Sequence, residues 1–402
     1  MNENNSCCLY NGNVLSGFAL MEDCSVLIEG GKIKEVFSNQ RFEKKHFGSD
    51  VQIIDVGGAY ITPGFIDTHF HGYGGFGVDD ACYPEIRSEK EVVDSMIEVS
   101  RLITRFGVTS FNPTVYPASE NIMPDAVSKI VSAMGKETGA QIMGLHLEGP
   151  FISRNKAGVQ RLDTISPVNL AYMEKLWNAS KGCIVNMTVA PELKNMRELA
   201  LYCAEKGIIL QAGHTDATFE NMLEGMQAGI LHATHMYNAM SKLDQRNPNA
   251  VGTILTHAEF SCEIIADGIH VHPNLFKLLA QNKPMDKIVM VTDSLKCTDQ
   301  KTTPYYANGE EMIFIDGLFK RKSDNVIAGS GITMIKGIQN MVKFGFNLED
   351  AVRAASSNPA SVMRYTKKGF INPGMDADIA IFDKDFKVLT AIVNGKIRYN
   401  VL

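Results

Sequence analysis

From Ile61 to Thr292 short apolar runs alternate with amphipathic segments, the pattern of a parallel sheet built from βα units. Eight runs stand out: Ile61–Asp67, Val108–Pro113, Ile142–Leu147, Ile184–Val189, Ile208–Gly213, Leu231–His235, Cys262–Ala266 and Ile288–Thr292. The first intervening helix is well marked. Ser88 and Glu91 have capping-box spacing, Val92, Met96, Val99 and Ile103 share a face, and Gly107 supplies the stop. Strands and helices in this order predict an α/β fold of the (β/α)8 TIM-barrel kind. The two ends of the chain read differently. Ser25–Glu29 and Lys32–Val36 flank Gly30-Gly31, and Lys387–Val393 precedes Asn394-Gly395, so both ends predict period-two strands joined by tight turns. The expected organisation is a small β-sandwich domain made by residues 1–60 and 365–402, attached to a catalytic barrel at 61–364. Lys296–Asp324 forms a long excursion after the eighth run, with room for a hairpin of its own.

A length of 402 residues exceeds the roughly 250–300 at which single cores stop growing, which suits one large and one small domain. Hydrophobic residues at 45% and charged residues at 21% are the balance of a globular protein with a sizeable core, not of a disordered chain. A formal charge of -6 with no basic run argues against nucleic acid as a partner. A phosphorylated small molecule is still compatible, because one or two placed cations and backbone N–H groups suffice. The polar start Met1-Asn-Glu-Asn-Asn-Ser6 lacks the order of a secretory signal, and no apolar run reaches the length of a membrane span. A cytoplasmic protein without membrane contact is therefore expected. The eight cysteines are scattered, with no Cys-x-x-Cys spacing, and read as reduced thiols, several of them buried.

Catalytic residues of a (β/α)8 barrel sit at the carboxyl ends of its strands, and polar groups collect there. The first run ends Asp67-Thr-His69-Phe-His71-Gly72, where the period of two brings His69 and His71 to one side. Alone, His-x-His is a weak signal, and two histidines at a wet strand end would be the simpler reading. Other strand ends answer it. Glu148 closes the third run, where an unpaired carboxylate would be costly, His214 closes the fifth and His235 the sixth. A Glu, His, His set with an open fourth position is the donor set of a hydrolytic divalent centre. Asp293 ends the eighth run, placed to take a proton from a metal-activated water and return it to a leaving amine; in isolation it would read as a turn or helix cap. His232 is three residues from His235 and reads as a packed or hydrogen-bonded side chain. His146 lies one step deeper than Glu148, orienting that carboxylate or filling the barrel. His46, His257 and His272 read as surface or supporting residues.

Taken in order, these stretches resemble the N-acetylglucosamine-6-phosphate deacetylase family of the amidohydrolase superfamily over nearly the whole chain. The matching motifs are Pro63-Gly-Phe-Ile-Asp67-x-His-x-His-Gly72, His146-Leu-Glu-Gly-Pro-Phe151, Gly213-His-Thr215, Thr234-His-Met-Tyr-Asn-Ala-Met240, Ala266-Asp-Gly-Ile-His270, Val291-Thr-Asp293 and Ile327-Ala-Gly-Ser330. The resemblance implies that Glu148, His214 and His235 ligate a metal, that His69 and His71 hold a second ion, and that Asp293 is the acid/base. One or two divalent ions are implied, and zinc, iron, manganese and cobalt all suit such donors. Also implied is a substrate pocket with Val159, Gln160, Asn238, Ala239 and His270, and with Ile327, Ala328 and Gly329 near the acetamide. Arg246 is implied to reach the phosphate of the neighbouring site in a homodimer. The implied reaction is metal-dependent hydrolysis of N-acetylglucosamine 6-phosphate to glucosamine 6-phosphate and acetate.

One position departs from the family pattern. Lys156-Ala-Gly158-Val-Gln160 stands where members usually end in a histidine that helps polarise the acetyl carbonyl, and a glutamine amide is neutral and differently shaped. N-acetylgalactosamine 6-phosphate or another small amide is therefore the alternative substrate. A cyclic-amide hydrolase is disfavoured because Ile184–Pro191 offers no lysine for carbamylation, and an aminopurine deaminase because Asn238, Arg246 and His270 suit a phosphate. A catalytically inactive ligand-binding or scaffold barrel is the reading from another class. It would be expected to have lost ligands or Asp293, and all six residues are present.

Overall fold

The computed structural model of the chain describes residues 6–17, 19–82 and 87–402, so the polar start at residues 1–5 lies outside them. Eight parallel strands close into a barrel: β1 (Phe65–Phe70), β2 (Val108–Val115), β3 (Leu145–Glu148), β4 (Ile184–Val189), β5 (Ile209–Ala212), β6 (His232–Ala233), β7 (Ser261–Ile265) and β8 (Ile288–Val291). Helices alternate with them as expected. In the first, Glu89–Ile103, Ser88 accepts from the Glu91 N–H while the Glu91 carboxylate accepts from the Ser88 N–H at 2.9 Å. Val92, Met96, Val99 and Ile103 are buried against the barrel. The ring closes between β8 and β1, where the Asp293 N–H donates to the His69 carbonyl at 2.9 Å and Phe70 pairs with Ser294. Closure therefore sets the carboxyl ends of β1 and β8 side by side.

Two of the expected runs are divided. Tyr60–Pro63 pairs antiparallel with Ile379–Phe382 in the small sheet, and the barrel strand starts only at Phe65. Pro63 has no N–H for a ladder, and a Cβ on Gly64 would lie 2.1 Å from Thr109 Oγ1, so the chain changes sheets at this dipeptide. In the third run Gln141–Ile142 is a separate piece on β2, and β3 begins after Met143-Gly144.

The small β domain is one continuous sheet. Its order is Lys396–Asn400, Val388–Val393, Ile379–Phe382, Tyr60–Pro63, Cys7–Ser16, Ala19–Glu29 and Lys32–Ser38, with Gln52–Asp55 also paired to Cys7–Ser16. The sandwich arises because this sheet folds on itself: the Ile33 N–H donates to the Met375 carbonyl at 3.0 Å and the Ala377 N–H to the Gly31 carbonyl at 2.9 Å. Ile28, Ile33, Ile61, Ile379 and Ile392 share the core so formed. Ala380 and Phe382 point the other way into the barrel's core, which is why Ile379–Phe382 is apolar at every position. After β8 the excursion holds a three-stranded antiparallel sheet, Tyr305–Ala307, Glu310–Ile315 and Leu318–Arg321, one strand more than a hairpin. All eight cysteines are free thiols. Among the described residues no helix is long and apolar enough to cross a membrane.

Candidate active site

Six side chains from separate strand ends converge at the carboxyl face. His69 lies in β1 and His71 just beyond it, Glu148 ends β3, and His214, His235 and Asp293 stand two residues past β5, β6 and β8. All six are buried. They form two groups of three, His69 with His71 and Asp293, and Glu148 with His214 and His235; within each group the potential ligand atoms lie within 4.8 Å of one another. Glu148 joins the groups. Its Oε1 lies 3.1 Å from Nε2 of both His214 and His235 and 3.4 Å from His69 Nε2, while Oε2 lies 3.5 Å from His71 Nε2. Asp293 Oδ1 is 3.2 Å from His71 Nε2 and 3.6 Å from His69 Nε2.

The strands end abruptly to bring this about. His214, His235 and Asp293 have φ of 46°, 26° and 50°, a left-handed backbone that costs a non-glycine residue of order 1–3 kcal/mol and persists where its surroundings over-determine it. Asp293 is pinned on both sides, since its carbonyl also accepts from the Ser330 N–H at 2.7 Å. Gly329 closes over it so tightly that a Cβ there would lie 2.5 Å from the Asp293 carbonyl oxygen and 2.8 Å from Oδ1.

These residues fit a divalent ion. Bonds of about 2.0–2.1 Å at tetrahedral angles hold neighbouring ligand atoms about 3.3–3.5 Å apart, and the separations here run from 3.1 to 3.6 Å. Three of the four outward nitrogens are committed, and His235 Nδ1 is buried without a partner. His69 Nδ1 meets Glu263 Oε2 at 3.0 Å, His71 Nδ1 the Thr114 carbonyl at 2.9 Å and His214 Nδ1 the Lys156 carbonyl at 2.8 Å. Carbonyls and carboxylates accept, so these nitrogens donate and each Nε2 faces the cleft. His69 Nε2 is buried there without a hydrogen-bond partner. Burial pushes the Glu148 carboxyl up, but the imidazoles of His69, His214 and His235 outweigh it and hold its pKa well below the ordinary range. Burial acts likewise on Asp293, and His69 and His71 bring it below its usual value. Two carboxylates among inward-facing imidazole nitrogens form a donor set suited to a divalent cation.

Val159, Gln160, Asn238, Ala239, His270, Ile327, Ala328 and Gly329 all line the same cleft, whose volume is about 560 Å³. Gln160 is turned toward the ligand groups: its Nε2 donates to Glu148 Oε2 at 2.5 Å and its Oε1 accepts from Asn308 Nδ2 at 3.2 Å. Only the second amide hydrogen is left to meet a substrate. Both ring nitrogens of His270 face acceptors, Asp267 Oδ2 at 2.5 Å and the Ala328 carbonyl at 2.9 Å. Burial alone would lower its pKa; the Asp267 carboxylate outweighs burial and raises it above the ordinary imidazole value. Arg246 does not line the cleft. It is exposed on a loop, its N–H bonded to the Asp244 carboxylate at 2.9 Å. His146 fills the barrel, bonded to Thr114 Oγ1 at 3.1 Å and Thr188 Oγ1 at 2.8 Å, and does not touch Glu148 through these nitrogens. His232 is bonded to Ser261 Oγ at 2.7 Å, and His272 caps the helix Pro273–Asn282.

Several supporting residues escaped the sequence reading. Glu263, wholly buried in β7, receives His69. Asp67 accepts from Thr292 Oγ1 at 2.6 Å and ties β1 to β8. Tyr116 stacks flat on His71, with centroids 3.9 Å apart and planes within 2°. Glu263 carried the same signal as Glu148, a carboxylate inside an apolar strand; Tyr116 and Asn308 carried none.

A barrel whose rim gathers these donors over a cleft defines a hydrolase of the metal-dependent amidohydrolase kind. The model of the amidohydrolase family matches residues 60–398, and the chain belongs to that family. Among its relatives, the N-acetylglucosamine-6-phosphate deacetylase of Bacillus subtilis (strain 168) is 33% identical over 380 residues, 92% of each chain. That of Lysinibacillus sphaericus is 31% identical over 394 residues, 96% of each. The crystal structure of N-acetylglucosamine-6-phosphate deacetylase from Pasteurella multocida superposes with a TM-score of 0.88, covering 98% of this chain and 100% of that one at 27% identity. The chain groups with this deacetylase branch.

Proposed function

We propose that the chain hydrolyses the acetamide of N-acetylglucosamine 6-phosphate to glucosamine 6-phosphate and acetate. The observation that carries this reading is the pair of ligand groups joined through Glu148, with Asp293 at their edge, in a chain alike over nearly its whole length to deacetylases of that name. Glu148, His214 and His235 would hold one divalent ion and His69, His71 and Asp293 a second, and such ions polarise a carbonyl and make water acidic enough to ionise near neutral pH. Asp293, ionised at neutrality, accepts the proton from the attacking water. It then delivers that proton to the amide nitrogen as the C–N bond breaks, because an amide anion is too basic to leave unprotonated. The water oxygen ends in acetate, and the amine carries the transferred proton. The second amide hydrogen of Gln160 would donate to the acetyl oxygen, and His270, with Asn238, would form the phosphate end of the cleft. Arg246, exposed and outside its own cleft, is assigned to the phosphate of a second copy, in a cytoplasmic homodimer.

The test is acetate release from N-acetylglucosamine and N-acetylgalactosamine, each with and without the 6-phosphate, alongside sedimentation of the wild-type chain and an Arg246→Ala variant. The highest kcat/KM is expected for N-acetylglucosamine 6-phosphate. Faster turnover of the galactosamine epimer, or indifference to the phosphate, would overturn the substrate assignment.

A further inference from the structure

Barrels of this kind are ordinarily filled by branched apolar side chains, yet a line of amides crosses the interior here. Tyr365 Oη donates to Asn112 Oδ1 at 2.8 Å, Asn112 Nδ2 to Asn186 Oδ1 at 3.2 Å, Asn186 Nδ2 to Gln211 Oε1 at 2.9 Å, and Gln211 Nε2 to Glu263 Oε1 at 2.8 Å. Glu263 Oε2 accepts from His69 Nδ1 at 3.0 Å and from the backbone N–H of His235 at 3.3 Å. Asn112, Asn186, Gln211, Glu263 and His69 are all fully buried. Tyr365 follows the last barrel helix, Ser357–Val362, at the end opposite the cleft, where the neighbouring Arg364 lies beside Leu231 and Lys287 ahead of β6 and β8.

Glu263 fixes the direction of the whole line. Its carboxylate oxygens accept from every neighbour, so Gln211 presents its NH2 to it and its oxygen to Asn186. Asn186 must then present its NH2 to Gln211, Asn112 must do the same toward Asn186, and the last oxygen is left for the Tyr365 hydroxyl. Both carboxylate oxygens face donors: Gln211 Nε2 at 2.8 Å and the Thr68 hydroxyl at 3.4 Å on Oε1, His69 Nδ1 at 3.0 Å and the His235 N–H at 3.3 Å on Oε2. A chain of this sort is strongly destabilising if one member is unpaired, and a barrel built for stability alone would use apolar side chains instead. Glu263 belongs to neither ligand group, yet it touches one member of each, His69 through its ring and His235 through its backbone.

We infer that Glu263 is a positioning residue for the metal centre: it holds His69 in the tautomer and ring plane that aim Nε2 into the cleft, it steadies the turn carrying His235, and the amide line from Tyr365 holds its carboxylate in place. The inference rests on reading the two groups as metal sites. Its test is equilibrium binding of cobalt(II) to the chelator-stripped full chain, with stoichiometry and both dissociation constants measured by competition against a chromophoric chelator. Glu263→Gln is expected to weaken the ion at His69, His71 and Asp293 by about 10- to 100-fold. The ion at Glu148, His214 and His235 is expected to weaken less. On reconstitution with excess ion, kcat should recover while KM stays near the wild-type value, a pattern that simple loss of folded protein does not produce. Tyr365→Phe, at the far end, should weaken the same ion by a smaller factor. If Glu263→Gln does not accumulate as folded protein, Gln211→Met, which leaves the carboxylate and removes its amide donor, decides by the same titration. Folded variants that bind both ions as tightly as the wild type would overturn the proposal; a wild-type chain that binds no ion would instead overturn the metal reading beneath it.

Discussion

Replacing Asp293 with Asn removes the proton acceptor and exchanges one anionic ligand of the group His69, His71 and Asp293 for a neutral amide oxygen. The amide has the shape of the carboxylate, and the residue's backbone bonds to His69 and Ser330, at 2.9 and 2.7 Å, stay available. His71 Nε2, 3.2 Å from Oδ1, keeps a polar neighbour. What disappears is the group that takes the water's proton and returns it to the leaving nitrogen. General acid–base catalysis contributes about 10²–10⁴-fold, equivalent to roughly 3–5.5 kcal/mol of barrier at about 1.4 kcal/mol per tenfold. Asn238 and His270, assigned to the phosphate end, are untouched, so KM is expected within about threefold of the wild type. The assay is acetate release at saturating substrate, with metal content measured on the same preparation. A fall of two to four decades in kcat at full metal content is expected. A loss that tracks missing metal, and is reversed by excess ion, would make Asp293 a ligand and no more. A variant that keeps its metal and turns over within about tenfold of the wild type would refute the acid/base role.

Gly329→Ala places a methyl group 2.5 Å from the Asp293 carbonyl oxygen and 2.8 Å from Oδ1. Asp293 must shift, so kcat should fall by at least about tenfold, since misplacement of a reacting group by about 1 Å is expensive, and the clash with a backbone oxygen should lower the melting temperature by about a few degrees. His270 offers a pH dependence. Its pKa is raised above 6.5 by Asp267 against the opposing effect of burial, so its positive charge is present below the raised value and lost as pH rises through it. The phosphate, with a second pKa near 6, is already dianionic there. KM should therefore climb with pH by about tenfold through that window, and His270→Gln should start high and stay flat; an unchanged profile in the variant would rule out the charge as a binding group.

The six residues proposed to hold metal were legible because each lies at or just past the carboxyl end of an apolar strand, where a polar side chain has little structural reason to be. The barrel itself was legible from the spacing of the runs. What was hidden depended on contacts between strands far apart in sequence. Asn112, Asn186 and Gln211 sit in runs that read as ordinary strand interiors, and nothing local reveals that Glu263 lines them up. The division at Pro63-Gly64 was announced by the dipeptide itself but masked by apolar residues on both sides, since Tyr60–Pro63 and Phe65–Phe70 are each buried in a different sheet. In the sequence Gln160 stood out only as a departure from the family's histidine. The structure commits one of its amide hydrogens to Glu148, a choice set by Asn308 from the excursion after β8, which no pattern within Lys156–Gln160 reveals.

Six strand-end side chains holding divalent ions at the mouth of the barrel is the premise on which the chemistry depends. Anomalous X-ray scattering at the zinc edge, from crystals of the full chain equilibrated with zinc, measures this most directly. A peak bounded by Glu148, His214 and His235 is predicted, with a second among His69, His71 and Asp293. Absence of a peak at both places, in crystals whose protein still releases acetate from N-acetylglucosamine 6-phosphate after chelation, would contradict it.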